Sequence, residues 1–326
     1  MAKKKTDDAV PVFTPPLALM LARAEELKGE PLTESQVQKV RDAAPCVLME
    51  RADAEKMREE RGFRDVNPED CWSDWHRARV DVIGRGFRPK LVLCLVGPKA
   101  FEKKARALML AREVEHEFRG PDARMREAFE FSRWGASPDL PASELDQIAG
   151  HACVLYLVGP NYPSPAALDT VVPLFALAAE LVALGATGLK CESSGLAHGL
   201  ENWRLLLEAI ADASNPHARW GALFDALVQH PLGNGTETYT CGMHLLGKPD
   251  LFAAEGVLPL QELVRLFRSF GVYQLAECAP GAFASGHTFS TSADAPKIRA
   301  TWEPCTGYDE DDLFFNPYGR WRLARA

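Results

Sequence analysis

Several motifs that would assign a function are missing from this sequence of 326 residues. No two of its eight cysteines stand in a Cys-x-x-Cys spacing, which argues against a zinc ribbon and a disulfide framework. No Gly-Lys-Ser or Gly-Lys-Thr occurs, so a Walker phosphate loop is excluded. Basic side chains are in deficit, since 37 Lys and Arg stand against 45 Asp and Glu, for a net charge of −8. Such a chain has no general positive field for nucleic acid, and nucleic acid is not expected as a partner.

Long apolar segments are also missing. The longest nearly apolar run, residues 171–184, contains Glu180 and is shorter than the roughly 20 residues that span a bilayer. The first eight residues are basic and then acidic, without the apolar core of a secretory signal. We therefore expect a soluble, cytoplasmic protein with no membrane partner and with reduced cysteines. Cys46, Cys94 and Cys153 lie in apolar runs and are predicted to be core residues.

The front of the chain is predicted to be a disordered leader, residues 1–14, followed by a mainly helical module over residues 15–88. Apolar residues at helical spacing follow the leader, and a second helix opens at the capping-box sequence Thr33-Glu-Ser-Gln36. A strongly charged helix is expected over about 51–61, ending at Gly62.

The segment 89–232 has an α/β-like pattern in which strands alternate with helices. Residues 91–98 and 153–160 match at six of eight positions, and each is an apolar run that ends in Gly-Pro. Such runs are typical of strands buried on both faces. The similarity reflects either a duplication or the convergence of two central strands, and both origins stay open. Helices are predicted over about 100–118, 168–182 and 196–213.

The segment 233–326 is rich in antiparallel strand signals and is expected to form one unit with the segment before it. Alternating apolar and polar residues over 238–245 predict a strand with one polar face. An amphipathic helix is predicted from about residue 260, and further strands over 271–277, 287–290 and 297–303. Because the later strands come in succession, the predicted fold class is α+β, with mixed or antiparallel sheets packed with helices behind the helical N-terminal module.

The turn from Cys191 to His198 is the stretch best suited to chemistry, because it follows a strand predicted over 185–191 and leads into the helix predicted from residue 196. In one interpretation Ser193 or Ser194 caps the helix, Gly195 permits a tight turn, and His198 forms a local hydrogen bond. In a second, the backbone N–H groups of Ser193, Ser194 and Gly195 bind an anion or another ligand. Both interpretations suit the small residues of the turn.

A third interpretation makes the same turn catalytic. Cys191 or Ser193 would be the nucleophile and His198 the base, with Glu192 or Glu201 orienting the imidazole. The sequence lacks the Gly-x-Ser-x-Gly spacing of a nucleophile elbow, which weakens this hypothesis. The catalytic residues are therefore left as candidates.

Two further histidines, His244 and His287, are candidate metal ligands. His244 follows Cys241 at a Cys-x-x-His spacing, but side chains three residues apart in a strand point to opposite faces, so joint metal binding is not expected. A zinc site assembled from Cys191, His198, His244 or His287 is an alternative that spacing alone cannot test. The sequence predicts no metal and no cofactor.

Four consecutive carboxylates, Asp309, Glu310, Asp311 and Asp312, stand beside Leu313-Phe-Phe315 in the C-terminal region. They lack the Asp-x-Asp-x-Asp-Gly periodicity of a calcium loop. We interpret the stretch as a solvated acidic edge with an aromatic anchor, which would suit a basic protein partner. The residues predicted to face the partner are His244, His287, Asp309, Glu310, Asp311, Asp312, Phe314 and Phe315.

Three stretches, residues 191–198, 240–250 and 308–321, resemble a bacterial family known only as a domain of unknown function. The resemblance covers roughly residues 90–326, and residues 61–72 are similar to a segment that accompanies such domains. It brings no established reaction and transfers no catalytic residue. It implies an immunity or accessory role near toxin and secretion systems.

The predicted function is therefore a non-catalytic one. We expect a soluble bacterial protein that binds a protein partner in an immunity or secretion-accessory role, and a basic partner would suit its acidic edge. The alternative is a hydrolase-like enzyme or a small-ligand receptor centred on the turn from Cys191 to His198. The sequence does not indicate an oligomeric state.

Overall fold

The chain is an α+β protein that divides into two compact units, Met1–Phe87 and Arg88–Ala326. The computed structural model describes residues 9–84, 88–131, 140–278 and 283–326. The sequence placed a boundary at nearly the same point, between residues 88 and 89. The described elements of the first unit are β1 (Ala9–Phe13), α1 (Leu17–Lys28), α2 (Glu34–Ala43), β2 (Cys46–Glu50), α3 (Arg51–Arg61) and α4 (Cys71–Asp81).

The first unit mixes helices and strands, so the prediction of a mainly helical module was wrong in this respect. β1 pairs with β2 in an antiparallel two-stranded sheet, with Phe13 opposite Cys46. Residues 9–13 are thus a strand and not part of a disordered leader, while residues 1–8 lie outside the described residues. The pairing joins segments more than thirty residues apart, which local pattern does not report. Cys46 is exposed on this small sheet, so its predicted place in a core was also wrong.

The helices of the first unit follow their local signals. The Thr33–Gln36 capping box is formed, and the Thr33 N–H donates to Gln36 Oε1 at 2.9 Å. α3 ends at Gly62, which adopts the left-handed conformation at φ 72°. At the start of α1 the Asp65 carboxylate accepts hydrogen bonds from the N–H groups of Leu17 and Ala18, both at 2.8 Å. This distant side chain caps a helix that lacks a local cap.

The second unit contains two sheets and seven helices among its described residues. Its elements are β3 (Val92–Gly97), α5 (Lys99–Met109), β4 (Glu115–Arg119), α6 (Met125–Phe131), α7 (Ala142–Ala149), β5 (Cys153–Val158), α8 (Ala167–Ala183), β6 (Gly188–Cys191), β7 (Leu196–Ala197), α9 (Leu200–Ala211), α10 (Pro216–Leu227), β8 (Gln229–Gly233), β9 (Glu237–Cys241), β10 (Asp250–Ala254), α11 (Leu260–Ala276), β11 (Thr288–Phe289), β12 (Ile298–Glu303) and β13 (Arg320–Arg325).

The two similar apolar runs are neighbours at the centre of a five-stranded sheet, in the order β4-β5-β3-β6-β7. Leu93 and Leu95 of β3 pack with α5 and α8 on one face, and Cys94 and Val96 pack with α6 and α7 on the other. The predicted burial on both faces is confirmed. Every pair in the sheet is antiparallel, and β5 returns between β3 and β4 in the opposite direction.

The predicted helix over 100–118 ends early. α5 stops at Met109, and Glu115–Arg119 forms β4, an edge strand paired with β5. Four of the five β4 side chains are exposed and charged or polar, so no apolar alternation marked it as a strand. Its pairing with β5 decides its structure.

The second sheet has six strands in the order β11-β12-β13-β10-β9-β8. β10 and β13 are parallel, and the other neighbours are antiparallel. The predicted strand over 271–277 is wrong, because these residues continue α11. A Cβ at Gly271 would lie 2.2 Å from the Phe224 ring, so this glycine marks close packing of α11 on α10 and not the start of a strand.

Helix α11 lies on one face of the six-stranded sheet. Trp321 of β13 is buried, and its indole N–H donates to Gln274 Oε1 of α11 at 2.8 Å. Because side chains alternate along a strand, the neighbouring Arg320 points to the opposite face. That second face carries the cavity described below.

Within the described residues one helix, Ser164–Ala183, is long and apolar enough to cross a membrane by length and composition. Core helices of soluble proteins pass the same test. Here Val171, Phe175, Ala178 and Leu181 are each 1% exposed or less and belong to the main core.

Candidate functional site

The turn singled out by the sequence is a β-hairpin and not a helix start. β6 pairs with β7, which places Cys191 opposite Leu196, and α9 begins only at Leu200 with Gly199 as its cap. Neither serine caps this helix, so that part of the interpretation was wrong. The N–H of Leu200 already donates to the Glu144 carboxylate at 2.9 Å. An anion at the helix start would compete with this bond.

The two serines of the hairpin are fully buried. Ser193 Oγ accepts a hydrogen bond from the Val92 N–H at 2.9 Å and donates to the Lys90 carbonyl at 2.8 Å. Burial raises the pKa of the Cys191 thiol to about 11. A thiol with a raised pKa is a poor nucleophile near neutral pH.

His198 is engaged away from both candidate nucleophiles. Its Nε2 lies 2.9 Å from the Asp225 carbonyl and its Nδ1 lies 3.0 Å from Asn202 Nδ2, which fits a neutral ring protonated at Nε2. Burial lowers the pKa of His198 to about 4. Glu201, its predicted orienting partner, is exposed and pairs with Arg204. This arrangement favours a structural role for the hairpin over catalysis.

The ligand-binding interpretation of the hairpin also meets an obstacle. Ser193 and Ser194 are 0% exposed, so a ligand cannot reach their backbone N–H or hydroxyl groups without opening the turn. Gly195 is partly accessible and adopts φ 70°, and its nearest neighbours include the Phe314 ring of the C-terminal region. The hairpin turn therefore lies close to Phe314 of the C-terminal region.

His244 does not lie on a polar strand face. β9 ends at Cys241, and residues Met243–Leu246 form a 3₁₀ turn in which His244 is 1% exposed. The strand prediction failed because Gly242, at φ 124°, leaves the extended conformation. Burial lowers the pKa of His244 to about 4, opposed by the adjacent backbone of Leu313 and Ser193. A side chain this buried cannot contact a partner directly, which corrects its assignment as partner-facing.

The other partner-facing candidates are more accessible. His287 is exposed and packs edge-on against Phe283. Asp309, Glu310 and Asp311 are exposed, as expected of a solvated acidic edge.

The last carboxylate of the run shapes the chain around it. Asp312 is half-buried and accepts the Phe314 N–H at 2.8 Å, which turns the chain. Phe314 and Phe315 are half-buried, and Phe314 packs against the Tyr308 ring. Exposed carboxylates therefore border partly exposed rings.

The histidines and cysteines do not assemble a metal site in the described part of the chain. No group of three or more His, Cys, Asp or Glu side chains there is arranged to hold a metal ion. The alternative of a zinc site from Cys191, His198, His244 or His287 gains no support from this arrangement.

A cavity of about 330 Å³ lies on the face of the six-stranded sheet opposite α11. Its floor is formed by β9, β10 and β13, and it is covered by residues 304–319, here called the roof loop. Aromatic, carboxylate, amide and thiol groups all reach it. The lining side chains that matter below are Glu237, Tyr239, Cys241, Asp250, Phe252, Cys305, Tyr308, Phe314, Asn316 and Arg320.

Buried hydrogen bonds fix the roof loop over this cavity. The Asp250 carboxylate accepts from Thr240 Oγ1 at 2.9 Å, from the Met243 N–H at 3.2 Å and from Asn316 Nδ2 at 2.6 Å. The Trp302 indole donates to the Tyr318 carbonyl at 2.9 Å. Burial raises the pKa of Asp250 to about 6, against these hydrogen bonds. The loop is thus held in one conformation by groups at its C-terminal end.

The charged groups of the cavity are loosely paired. Arg320 stacks on Phe252, with its guanidinium carbon 4.0 Å from the ring centroid. Its end nitrogens lie 3.5 Å from Glu237 and 3.7 Å from Glu303, distances of ion pairs and not of hydrogen bonds. Among the described residues no hydrogen bond reaches the Glu237 carboxylate. This acceptor therefore remains available at the cavity.

Sequence reasoning identified only part of this site. Phe314 was predicted to face a partner, but Glu237, Asp250 and Arg320 were not singled out. They lie on three strands that are separate in sequence, and only the parallel pairing of β10 with β13 brings Asp250 beside Arg320. No local spacing could have shown this. The one usable signal was the acid-aromatic composition of the roof loop.

We expect the second unit to lose stability on mild acidification. Burial lowers the pKa of His198 and His244 to about 4 and also lowers that of His230. Because unfolded histidines bind protons near pH 6.5, their stabilising effect is present above that pH and is lost as the pH falls toward 4. The raised pKa of Asp250 acts in the opposite direction, adding stability as the pH falls through 6. The histidines prevail, so unfolding near pH 5 takes up at least one net proton.

This net uptake predicts a fall in unfolding free energy of about 1.4 kcal/mol or more per pH unit between pH 6 and 5. Urea titrations at several pH values measure it. His244→Gln should reduce the slope, whereas the exposed control His287→Gln should leave it unchanged. Equal slopes in the two variants would show that His244 does not govern the pH response.

The candidate site is supported by its geometry alone. Comparison with family models, with curated proteins and with solved structures gives no match. The resemblance to a bacterial family of uncharacterised domains therefore stays a prediction. The cavity under the roof loop is the candidate functional site.

Proposed function

We propose that this protein is a non-catalytic binding protein that recognises a basic segment of another protein at the cavity and the roof loop. The observation that supports this most is a cavity with excess negative charge beside exposed carboxylates on a fixed loop. Glu237 and Asp250 line the cavity against the single guanidinium of Arg320. The roof loop adds four carboxylates and contains no Lys or Arg.

The fixed conformation of the loop matters for affinity. Asn316 and Tyr318 tie its C-terminal end to the sheet, and Asp312 turns the chain before Phe314. A loop that is already ordered loses little conformational entropy when a partner binds. Complementary charge also raises the rate of encounter and suppresses acidic partners. An immunity or secretion-accessory role, as the sequence resemblance implies, would use such a surface to hold a basic protein.

The direct test uses a fluorescein-labelled peptide in which lysine and arginine alternate with glycine. Binding to the full chain is followed by fluorescence anisotropy at about 0.15 M ionic strength. The triple variant Asp309→Asn, Glu310→Gln and Asp311→Asn should weaken the affinity about tenfold, because each exposed pair contributes a fraction of a kcal/mol.

The matched control removes the same charge elsewhere. The control variant combines Glu201→Gln, Glu208→Gln and Glu262→Gln, which replace exposed residues of α9 and α11. This control should change the affinity less than twofold. Equal loss in both triple variants would mean that the peptide senses only net charge, and the proposed surface would be rejected.

A further inference from the structure

The cavity is too small for a large cofactor but suits one long side chain. Its volume of about 330 Å³ is at the lower end of the range of ligand pockets. Its lining residue Tyr308 is followed directly in the chain by the exposed carboxylates of the roof loop, where a basic segment would lie. A side chain projecting from that segment could therefore enter it.

The walls of the cavity suit a flat cation. The rings of Tyr239, Phe252, Tyr308 and Phe314 line it, and aromatic faces attract cations through their quadrupole. Burial raises the pKa of Tyr308, and its hydrogen bond with Tyr239 raises it further, so its hydroxyl stays protonated at neutral pH. The phenols therefore contribute neutral oxygens and ring faces.

The carboxylates differ in what they can still accept. Both oxygens of Asp250 are already used by Thr240, Met243 and Asn316. Among the described residues the Glu237 carboxylate has only the long ion pair with Arg320, so it is the acceptor that can bind an incoming donor. When Glu237 turns to that donor, Arg320 keeps its second pair with Glu303.

The site already shows how it accommodates a guanidinium. The Arg320 guanidinium lies over the Phe252 ring and pairs with two carboxylates, Glu237 and Glu303. A guanidinium stacks on rings and sheds water more readily than an ammonium group does. A second cationic side chain that enters the cavity would meet similar surroundings, and these would favour arginine over lysine.

We propose that the cavity under the roof loop receives one arginine side chain of the basic partner, held by Glu237 and by the aromatic walls. This refinement rests on the proposed function, which needs only a basic segment at the surface. It specifies the chemical class of the group that enters the cavity. It also requires that this group match the cavity in shape as well as in charge.

The test uses three labelled peptides that differ at one position. The first carries a central arginine among lysines and glycines, the second has lysine there, and the third has citrulline, a neutral isostere of arginine. With the full-length protein, the arginine peptide should bind about tenfold more tightly than the lysine peptide, because charge-assisted, planar contacts are lost with lysine. The citrulline peptide should bind no better than the lysine peptide.

Two variants assign the preference to the cavity. Glu237→Gln removes the negative charge of the carboxylate and one of its two acceptor oxygens, and Phe314→Leu removes an aromatic wall, and each should reduce the preference for arginine to within about twofold. The exposed control Glu262→Gln on α11 should keep the full preference. Circular dichroism of each variant checks that the fold is retained, and either folded variant suffices for the test.

The outcomes separate this inference from the proposed function. If none of the peptides binds, the proposed function itself fails. If the arginine and lysine peptides bind equally, the acidic surface stands and the arginine pocket is rejected. A preference that persists in either folded cavity variant would also reject it, because the selective contact would then lie elsewhere.

Discussion

Alanine in place of Gly242 is expected to lower the free energy of unfolding by about 3–5 kcal/mol. Gly242 adopts φ 124°, a conformation that residues with a Cβ rarely take. A Cβ at this position would lie 2.0 Å from the Leu227 carbonyl oxygen at the end of α10. Because the obstacle is backbone, it cannot move aside as a flexible side chain would.

The same substitution should also reach the cavity. Gly242 separates β9 from the 3₁₀ turn at Met243, whose N–H donates to the Asp250 carboxylate. A shift of this turn disturbs the hydrogen bonds that connect Asp250 to Asn316 of the roof loop. We expect the folded fraction of Gly242→Ala to bind the arginine peptide less tightly than the wild type.

Urea unfolding followed by tryptophan fluorescence measures the stability effect. Gly235→Ala is the matched control, because Gly235 also has a positive φ, 86°, but a Cβ there would meet no atom within 4 Å. Strain alone should cost about 1–2 kcal/mol there. If the two variants lose the same stability, the contact with Leu227 contributes nothing and the fold must adapt at that point.

Elements with strong local signals could be predicted from the sequence. The capping box at Thr33, the stop at Gly62 and the buried strands β3 and β5 each follow from residues close together in the chain. Local chemistry determines these features, because a cap or a left-handed glycine acts within one or two turns. Tertiary packing then only has to agree with them.

Elements defined by pairing could not be predicted in this way. β4 is a strand because its backbone pairs with that of β5, although its five residues carry no alternating pattern. β1 likewise depends on β2, which lies more than thirty residues further along the chain. Conversely, the sequence predicted that a strand begins at Gly271. This residue lies inside α11, where the absence of a Cβ allows close packing against Phe224.

The candidate site also combines features that the sequence predicts with features that depend on tertiary structure. The exposed acidic edge at Asp309–Asp311 was evident from composition, because consecutive carboxylates are rarely buried. The burial of His244 was not evident from composition, since it depends on how the turn after Gly242 packs. The cavity depends on the register of β9, β10 and β13, and register is a property of the folded sheet.

Removing the carboxylate of Asp74 is expected to destabilise the first unit by about 3 kcal/mol. Asp74 is 2% exposed and accepts hydrogen bonds from the Arg64 guanidinium at 2.6 Å and from the Asn67 N–H at 2.7 Å. Arg77 donates to the same carboxylate. Asp74→Ala leaves two guanidinium groups and a backbone donor without their acceptor. Because both arginines remain about 30% exposed, water recovers part of the loss, which keeps the effect at the lower end of the range for buried pairs.

Hydrogen–deuterium exchange of the full chain measures this effect in peptides from residues 9–84. Asp74→Ala should speed exchange in α1 and α4, whose shared core includes Leu17, Leu21 and Trp75. The matched control is Glu26→Ala, which breaks the exposed pair with Arg23 and should cost less than about 1 kcal/mol. If Asp74→Ala exchanged no faster than this control, the buried carboxylate would not be stabilising the unit, and burial of Leu17, Leu21 and Trp75 alone would have to account for its stability.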